Sequence, residues 1–243
     1  RHSIFLISFF LTLLSCVAIS QDKFSELDEI EVTATRLDST LLRSSRSVSI
    51  IGTKEIQNAT QLLAMDEVLA GVPGLYMQNR YNFAQDLRVS LRGFGARSAF
   101  GIRGIKVIVD GIPETLPDGQ AGVDSIDLGS ASRIEVIRGP SSSNFGNASG
   151  GVIAIETETG NDPGFVQTTI ATGDLGYSKF QLKSGGKTEN MNYLINFSKQ
   201  ELDGYREHSV SEGSLFNAKF GFNLSEIDRL KLSLNYTDQP KSQ

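Results

Sequence analysis

Arg133–Glu156 reads RIEVIRGPSSSNFGNASGGVIAIE, and Leu91–Gln120 upstream reads LRGFGARSAFGIRGIKVIVDGIPETLPDGQ. Within them Lys106–Val109, Arg133–Ile137 and Gly150–Glu156 are short runs rich in β-branched residues, and each abuts glycine: Asp110-Gly111, Arg138-Gly139-Pro140, Gly150-Gly151. Glycine permits the tight turns and close backbone approaches that such joints need. The pattern predicts short strands joined by Gly-rich loops.

Working upstream, Leu87–Leu91 alternates and reads as a strand, and Val48–Ile51 is a short β-branched strand. Thr53 or Thr60 caps a short helix, and Ala64–Leu69 is a helical stretch that Gly71 and Pro73 end. Residues 48–158 therefore form one compact α+β unit. Downstream of Pro163 the periodicity changes. Phe180 and Leu182, then Met191, Tyr193, Ile195 and Phe197, alternate with polar residues, Leu194 being the single break. Phe216, Ala218, Phe220, Phe222 and then Leu230, Leu232, Leu234, Tyr236 repeat the pattern. Period-two strands put their apolar groups on one face. Two architectures satisfy this: a soluble sandwich with one wet face, or a barrel with lipid outside and a polar lumen. Residues 164–243 are long enough for about five strands of ~10 residues.

Residues 1–20 stand apart. Arg1 and His2 precede the apolar run Ile4–Leu14, and Ala18-Ile19-Ser20 sets small residues at a cleavage site. This is the layout of an export signal, too short for a spanning helix, and Cys16 leaves with it. The mature chain then holds no cysteine and one histidine, His208, in the polar, turn-like stretch Gly204–Ser214. Disulfides, thiolate zinc sites, a cysteine nucleophile and histidine clusters are excluded. A net charge of -5 without a basic block argues against nucleic acid. Ser184-Gly185-Gly186-Lys187-Thr188 resembles the end of a phosphate loop, but Gln181 stands where that loop needs glycine and the setting is a strand turn. Residues 21–47 are polar and read as a flexible leader with one hydrophobic island at Ile30–Val32.

Taken in order, Val68–Leu75 (VLAGVPGL), the RGF of Arg92–Phe94, the DGIP of Asp110–Pro113, the EVIRGP of Glu135–Pro140 and the GNASGGVI of Gly146–Ile153 resemble the plug domain of TonB-dependent outer-membrane receptors. The form RGFGAR…FGIRGI…PDGQ is similar to the branch holding siderophore-type receptors and the pyrroloquinoline quinone receptor. The resemblance implies an α+β plug followed by the first antiparallel strands of a 22-stranded transmembrane β-barrel, most of which lies beyond this chain. It implies a bacterial outer-membrane location, with the plug inside the barrel and the leader in the periplasm. Glu29, Ile30, Glu31, Val32, Thr33, Ala34 and Thr35 (29–35) then resemble a TonB box. That segment is held by the energy-transducing protein TonB and its inner-membrane complex through strand addition to an exposed sheet edge.

Two further sets of residues follow from the resemblance. Arg92 and Arg138 correspond to plug arginines that lock onto carboxylates of the barrel wall, a task suited to the guanidinium fork. The local alternative for Arg138 is a pair with Glu135. Ligand contacts are expected on outward plug loops, at Arg80 and Tyr81, at Arg97, Ser98, Phe100 and Arg103, and at Leu116, Asp118 and Gln120. Arg80, Arg97 and Arg103 suit an anionic ligand such as a carboxylate-bearing chelate or quinone. The function so implied is proton-motive-force-coupled uptake of a scarce nutrient, a ferric siderophore or similar metal chelate, without catalysis, resident metal or cofactor. The alternatives are a receptor for a non-iron small molecule such as a redox cofactor, and an exported soluble β-rich binding protein.

Overall fold

The structure, a computed structural model, describes residues 31–32, 39–40, 46–59, 61–78, 81–83, 85–99, 101–206, 209–225 and 227–242. The export signal and most of the leader lie outside them. Within the leader, β1 (Glu31–Val32) pairs antiparallel with β2 (Ser39–Thr40).

The first folded unit opens with β3 (Ser47–Gly52), α1 (Thr53–Gln57) and α2 (Met65–Leu69). Thr53 does not cap α1: it is the first helical residue, and its hydroxyl donates to the Ser132 carbonyl at 2.7 Å. The N-cap is Gly52, whose N–H donates to Glu55 Oε2 at 3.2 Å, so a carboxylate satisfies an orphan donor of the first turn. Thr60, the other expected cap, is outside the described residues. There follow β4 (Leu75–Gln78), β5 (Arg88–Leu91), β6 (Ile102–Arg103), β7 (Ile105–Val109), β8 (Ile112–Pro113) and β9 (Gln120–Ala121). A 3-10 turn at Leu128–Ser130 leads into β10 (Ala131–Arg138), then α3 (Ser142–Phe145) and β11 (Gly151–Thr157).

The main sheet of this unit has the order β3-β10-β11-β7-β8, with β11 parallel to β7 and the other pairs antiparallel. Its strands are apolar on both faces because both faces are covered. Ile134, Val136, Ile153 and Ile155 join the larger core with Leu69, Leu91 and Ile105. Ile137 and Val152 turn the other way, onto Phe145, Ala148 and Ile108. Glu135 is 1% exposed between them, and its ion pair is with Arg133 at 2.7 Å, not with Arg138 as the local alternative had it. Residues two apart on a strand share a face, which Glu135 and Arg138, three apart, do not.

A second sheet runs in simple sequence order: β12 (Phe165–Thr172), β13 (Ser178–Lys187), β14 (Met191–Leu202), β15 (Ser211–Asn223) and β16 (Arg229–Ser242), all antiparallel. An α+β unit followed by antiparallel strands is the architecture expected. Two local expectations fail here. Ser184–Lys187 is not a turn but the end of β13. A Cβ at Gly185 would sit 2.7 Å from the Phe165 ring and one at Gly186 2.8 Å from the Tyr193 ring, so these glycines make room for aromatic neighbours in mid-sheet. The loop expected at Gly204–Ser214 ends earlier, since Ser211–Ser214 already belong to β15.

The outward face of this sheet is apolar and exposed, with Val166 and Ile170 each at 74% and Leu230, Leu232, Leu234 and Tyr236 at 49–64%. Its inward face is polar and buried: Lys179, Gln181, Lys183, Asn196, Ser198 and Gln200. Leu194, the break in the alternation, is an inward residue 1% exposed, covered within the structure rather than lost to solvent. No described helix is long and apolar enough to cross a membrane, which does not bear on strands.

Candidate functional site: outward plug loops and the seam with the wall

The inward face of β13–β15 is held to the first unit by a polar seam. Lys183 Nζ lies 2.8 Å from Glu158 Oε2 and 3.3 Å from the Gly129 carbonyl. Gln181 Nε2 donates to the same carbonyl at 3.1 Å and to Asn196 Oδ1 at 2.8 Å, while Asn196 Nδ2 donates to Asp127. Lys219 Nζ reaches Asp110 Oδ1 at 2.8 Å and Thr157 Oγ1 at 3.0 Å, and Asp110 Oδ2 accepts from the Thr157 hydroxyl at 2.6 Å. Tyr177 donates to the Gln61 carbonyl at 2.6 Å. Lys183 and Lys219 thus grip the exit of β11, where the first unit hands the chain to β12. In Lys183 and Lys219 the cost of lying so far from water is offset because each is paired and hydrogen-bonded.

The expected lock arginines converge on a different place. The Arg92 N–H donates to the Gly74 carbonyl at 2.8 Å, and Arg138 Nη1 donates to the Pro73 carbonyl at 3.2 Å. Both therefore brace the turn between α2 and β4. Arg92 does so with φ 51, a conformation uncommon for a side chain larger than glycine. Among the described residues neither makes an ion pair. In the seam that is present the polarity is the reverse of the expected lock, with cations on the wall and carboxylates on the first unit.

The expected ligand residues fall into two groups and a remainder. Arg103 Nη2 donates to Gln120 Oε1 at 3.3 Å across the β6–β9 ladder, and Asp118 Oδ1 accepts from the Gln120 N–H at 3.0 Å. Leu116, 60% exposed, closes the same turn through its N–H to the Gln120 carbonyl at 2.8 Å. Tyr81 stands elsewhere, edge-on to Phe83 and to Tyr205, each at 6.5 Å. Arg206 in turn lies 4.9 Å over the Tyr205 ring. Arg97 is exposed and joins neither group, and Ser98 is buried. Arg80 and Phe100 are outside the described residues, as are Glu29, Ile30, Thr33, Ala34 and Thr35; only Glu31 and Val32 of that segment are placed, in β1.

Sequence reading missed Tyr205 and Arg206, which lie in the loop between β14 and β15; an aromatic beside Gly204 in a polar loop was the available signal. It also missed a carboxyl pair. Asp124 is pushed up to about 7 by desolvation first, then by a hydrogen bond and charge repulsion from Asp86. Asp86 also lies against Gly101, where an added Cβ would meet its Oδ2 at 3.4 Å and Gln120 Nε2 at 3.7 Å. Among the described residues no group of His, Cys, Asp or Glu is arranged to hold a metal.

A mixed unit seated by buried ion pairs on the polar inner face of an outwardly apolar sheet defines a plug domain against a β-barrel wall. Residues 40–152 match the model of the TonB-dependent Receptor Plug Domain. The hemin receptor of Yersinia enterocolitica is 28% identical over 230 residues, covering 86% of this chain and 31% of the relative. The ferric enterobactin receptor of Pseudomonas aeruginosa is 27% identical over 197 residues, 74% of this chain and 24% of the relative. The crystal structure of the ferric yersiniabactin uptake receptor from Yersinia pestis superposes with a TM-score of 0.66 at 18% identity, over 79% of this chain and 31% of that one. Residues 40–152 thus carry a plug domain of the TonB-dependent receptor kind, and the rest of the chain is similar to the strands that follow it in such receptors. The chain spans less than a third of the length of each relative named.

Proposed function

We propose that this chain is part of an outer-membrane receptor that takes up a scarce anionic metal chelate, such as a ferric siderophore or heme, without catalysis. The carrying observation is the seating of the plug. A wall apolar outside and polar inside suits a barrel in lipid, and a plug fixed to its inner face by ion pairs closes the lumen. The relatives bind hemin and ferric enterobactin by name. Arg97 and the Tyr81–Tyr205 pair lie on loops, and Arg103 in the short strand β6, a set suited to an anionic, aromatic-bearing ligand.

In this reading the ligand binds above the plug, and residues 29–35 offer TonB an extended strand in the periplasm. Pulling on that strand, powered by the inner-membrane proton gradient, rearranges the plug. Arg92 and Arg138 lock the plug through carboxylates on strands beyond this chain. The test is uptake of radiolabelled ferric enterobactin and hemin by cells carrying the full-length receptor, wild type against Val32→Pro. Proline removes a strand hydrogen-bond donor, so energy-dependent uptake is expected to fall to background while surface binding persists. Unchanged uptake would remove the TonB-box assignment.

A further inference from the structure

The register of the wall sheet sorts its charges by face. In register, Lys179 lies opposite Gln200, and Lys183 opposite Asn196, Asn217 and Asn235. One step on, Lys219 lies opposite Leu194 and Ser233, and the next row holds Lys187 and Lys231 on either side of Asn192 and Gly221. Arg229, opposite Asn223, ends the series. All of these positions share the inward face. From Phe165 to Thr237 every charged residue on that face is a cation; the remaining polar positions are amides and hydroxyls. The carboxylates of these strands, Glu201, Glu212 and Asp238, sit on the outward face, where the first two pair with Lys199 at 2.7 and 3.5 Å.

Successive inward rows are two residues apart, about 6.6 Å along the strand. The cations therefore descend as a staircase from the end bearing the Tyr205 loop to the end where the plug enters β12. Short turns such as the one between Lys187 and Met191 mark that second end as periplasmic. With the plug seated, its own carboxylates occupy the middle steps: Glu158 on Lys183 and Asp110 on Lys219. Lys179, the outermost step, is 6% exposed and makes no hydrogen bond or ion pair among the described residues; Asp127 and Glu67 act on it only at longer range. A wall needing only to be wet would be built from Ser, Asn and Gln, since a buried ammonium carries a desolvation penalty that neutral side chains avoid.

We propose that the inward face of β13–β16 is a cationic track that guides an anionic cargo past the plug, with plug carboxylates Glu158 and Asp110 occupying it at rest. Cargo carboxylates or catecholates take the place of the plug's own carboxylates as these withdraw, so the lysines are never left without a counter-anion. The absence of acids on the face leaves no repulsive step for an anion and no trap for a free cation. This inference rests on the uptake reading above and adds to it the sign of charge along the path.

The experiment uses the full-length receptor in cells at matched outer-membrane levels, with hemin and ferric enterobactin, both anionic at neutral pH, as probes. Binding is measured on de-energised cells and maximal uptake rate on energised ones. Lys179→Gln and Lys231→Gln are expected to leave binding unchanged and to slow maximal uptake about threefold each through loss of one attractive charge. Lys179→Arg and Lys231→Arg are expected to restore the rate. Lys231 is exposed and makes no described contact, so its variant stays informative even if Lys179→Gln assembles poorly. Wild-type uptake rates in both glutamine variants, or arginine variants as slow as the glutamine ones, would overturn the track. Wild-type receptor that shows no energy-dependent uptake of either probe would overturn the uptake reading itself, and the track with it.

Discussion

The plug sheet and the wall sheet are each five-stranded, yet they use their apolar residues in opposite ways. In the plug sheet Ile134, Val136 and Ile153 face one core while Ile137 and Val152 face another, and all five are fully buried. In the wall sheet Ile195, Phe197, Leu232 and Leu234 face outward and are 36–51% exposed, while the buried side holds lysines and amides. The plug sheet excludes solvent by being covered on both sides. Under the outer-membrane reading proposed above, the wall sheet takes lipid as one of its solvents, so its interior becomes the polar side. The same alternation rule thus yields a conventional core in one region and an inside-out one in the other.

The sharpest way to break that contrast is at the seam, where the inside-out interior meets the plug. Lys219→Met leaves the half-buried Asp110 without its cation and is expected to weaken plug seating by about 3 kcal/mol. Hydrogen exchange of the Asp110–Gly111 turn and of β11 in the purified full-length receptor would register it. The double variant Lys219→Met with Asp110→Asn should recover much of the loss, because no unpaired charge remains. Recovery by neither measure would mean that the ion pair does not hold the plug.

A matched pair of truncations compares the two sheets directly. Ile153→Ala leaves a cavity in a packed core and should destabilise the plug by about 4 kcal/mol. Ile195→Ala faces lipid, which fills the space, so only the transfer term is lost, about 2 kcal/mol. Urea unfolding in detergent, followed separately for plug and barrel, tests the ordering; equal losses would contradict a lipid-facing Ile195.

The smallest effect is one of pH. The Asp124 carboxyl is raised from its ordinary 3.8 to about 7, so the native plug holds a proton that the unfolded chain releases. Its contribution therefore falls as pH rises from about 4 to about 7 and is flat above. Asp124→Asn should raise the plug's melting temperature at pH 8 by a small amount and leave it unchanged at pH 4. A larger gain at pH 4 than at pH 8 would reverse the assigned sign.

Much of this architecture is legible along the chain. The strands from β14 to β16 follow from Tyr193, Phe216 and Leu230 and their alternating neighbours, because period two is a property of the strand itself. β12 went unseen because FVQTTIAT shows too few apolar residues for its length, with threonines sharing the outward face. The end of β13 was misread because Gly185 and Gly186 signal a turn in isolation and a ring-sized gap only when Phe165 and Tyr193 are beside them. Of the candidate ligand residues, the turn joining Leu116, Asp118 and Gln120 was visible as a loop, but its bond to Arg103 was not.

The information legible along the chain is therefore local: strand periodicity, the glycine-marked turns and the ordered plug motifs. Packing sets the rest: Arg133 rather than Arg138 meets Glu135, Tyr81 meets Tyr205, and Lys183 and Lys219 close on Glu158 and Asp110. The partners of Tyr81 and Lys219 lie 124 and 109 residues away in the chain. Backbone preference acts over a few residues, whereas pairing of buried charges depends on which surfaces the packed sheets bring together and which groups that packing removes from water.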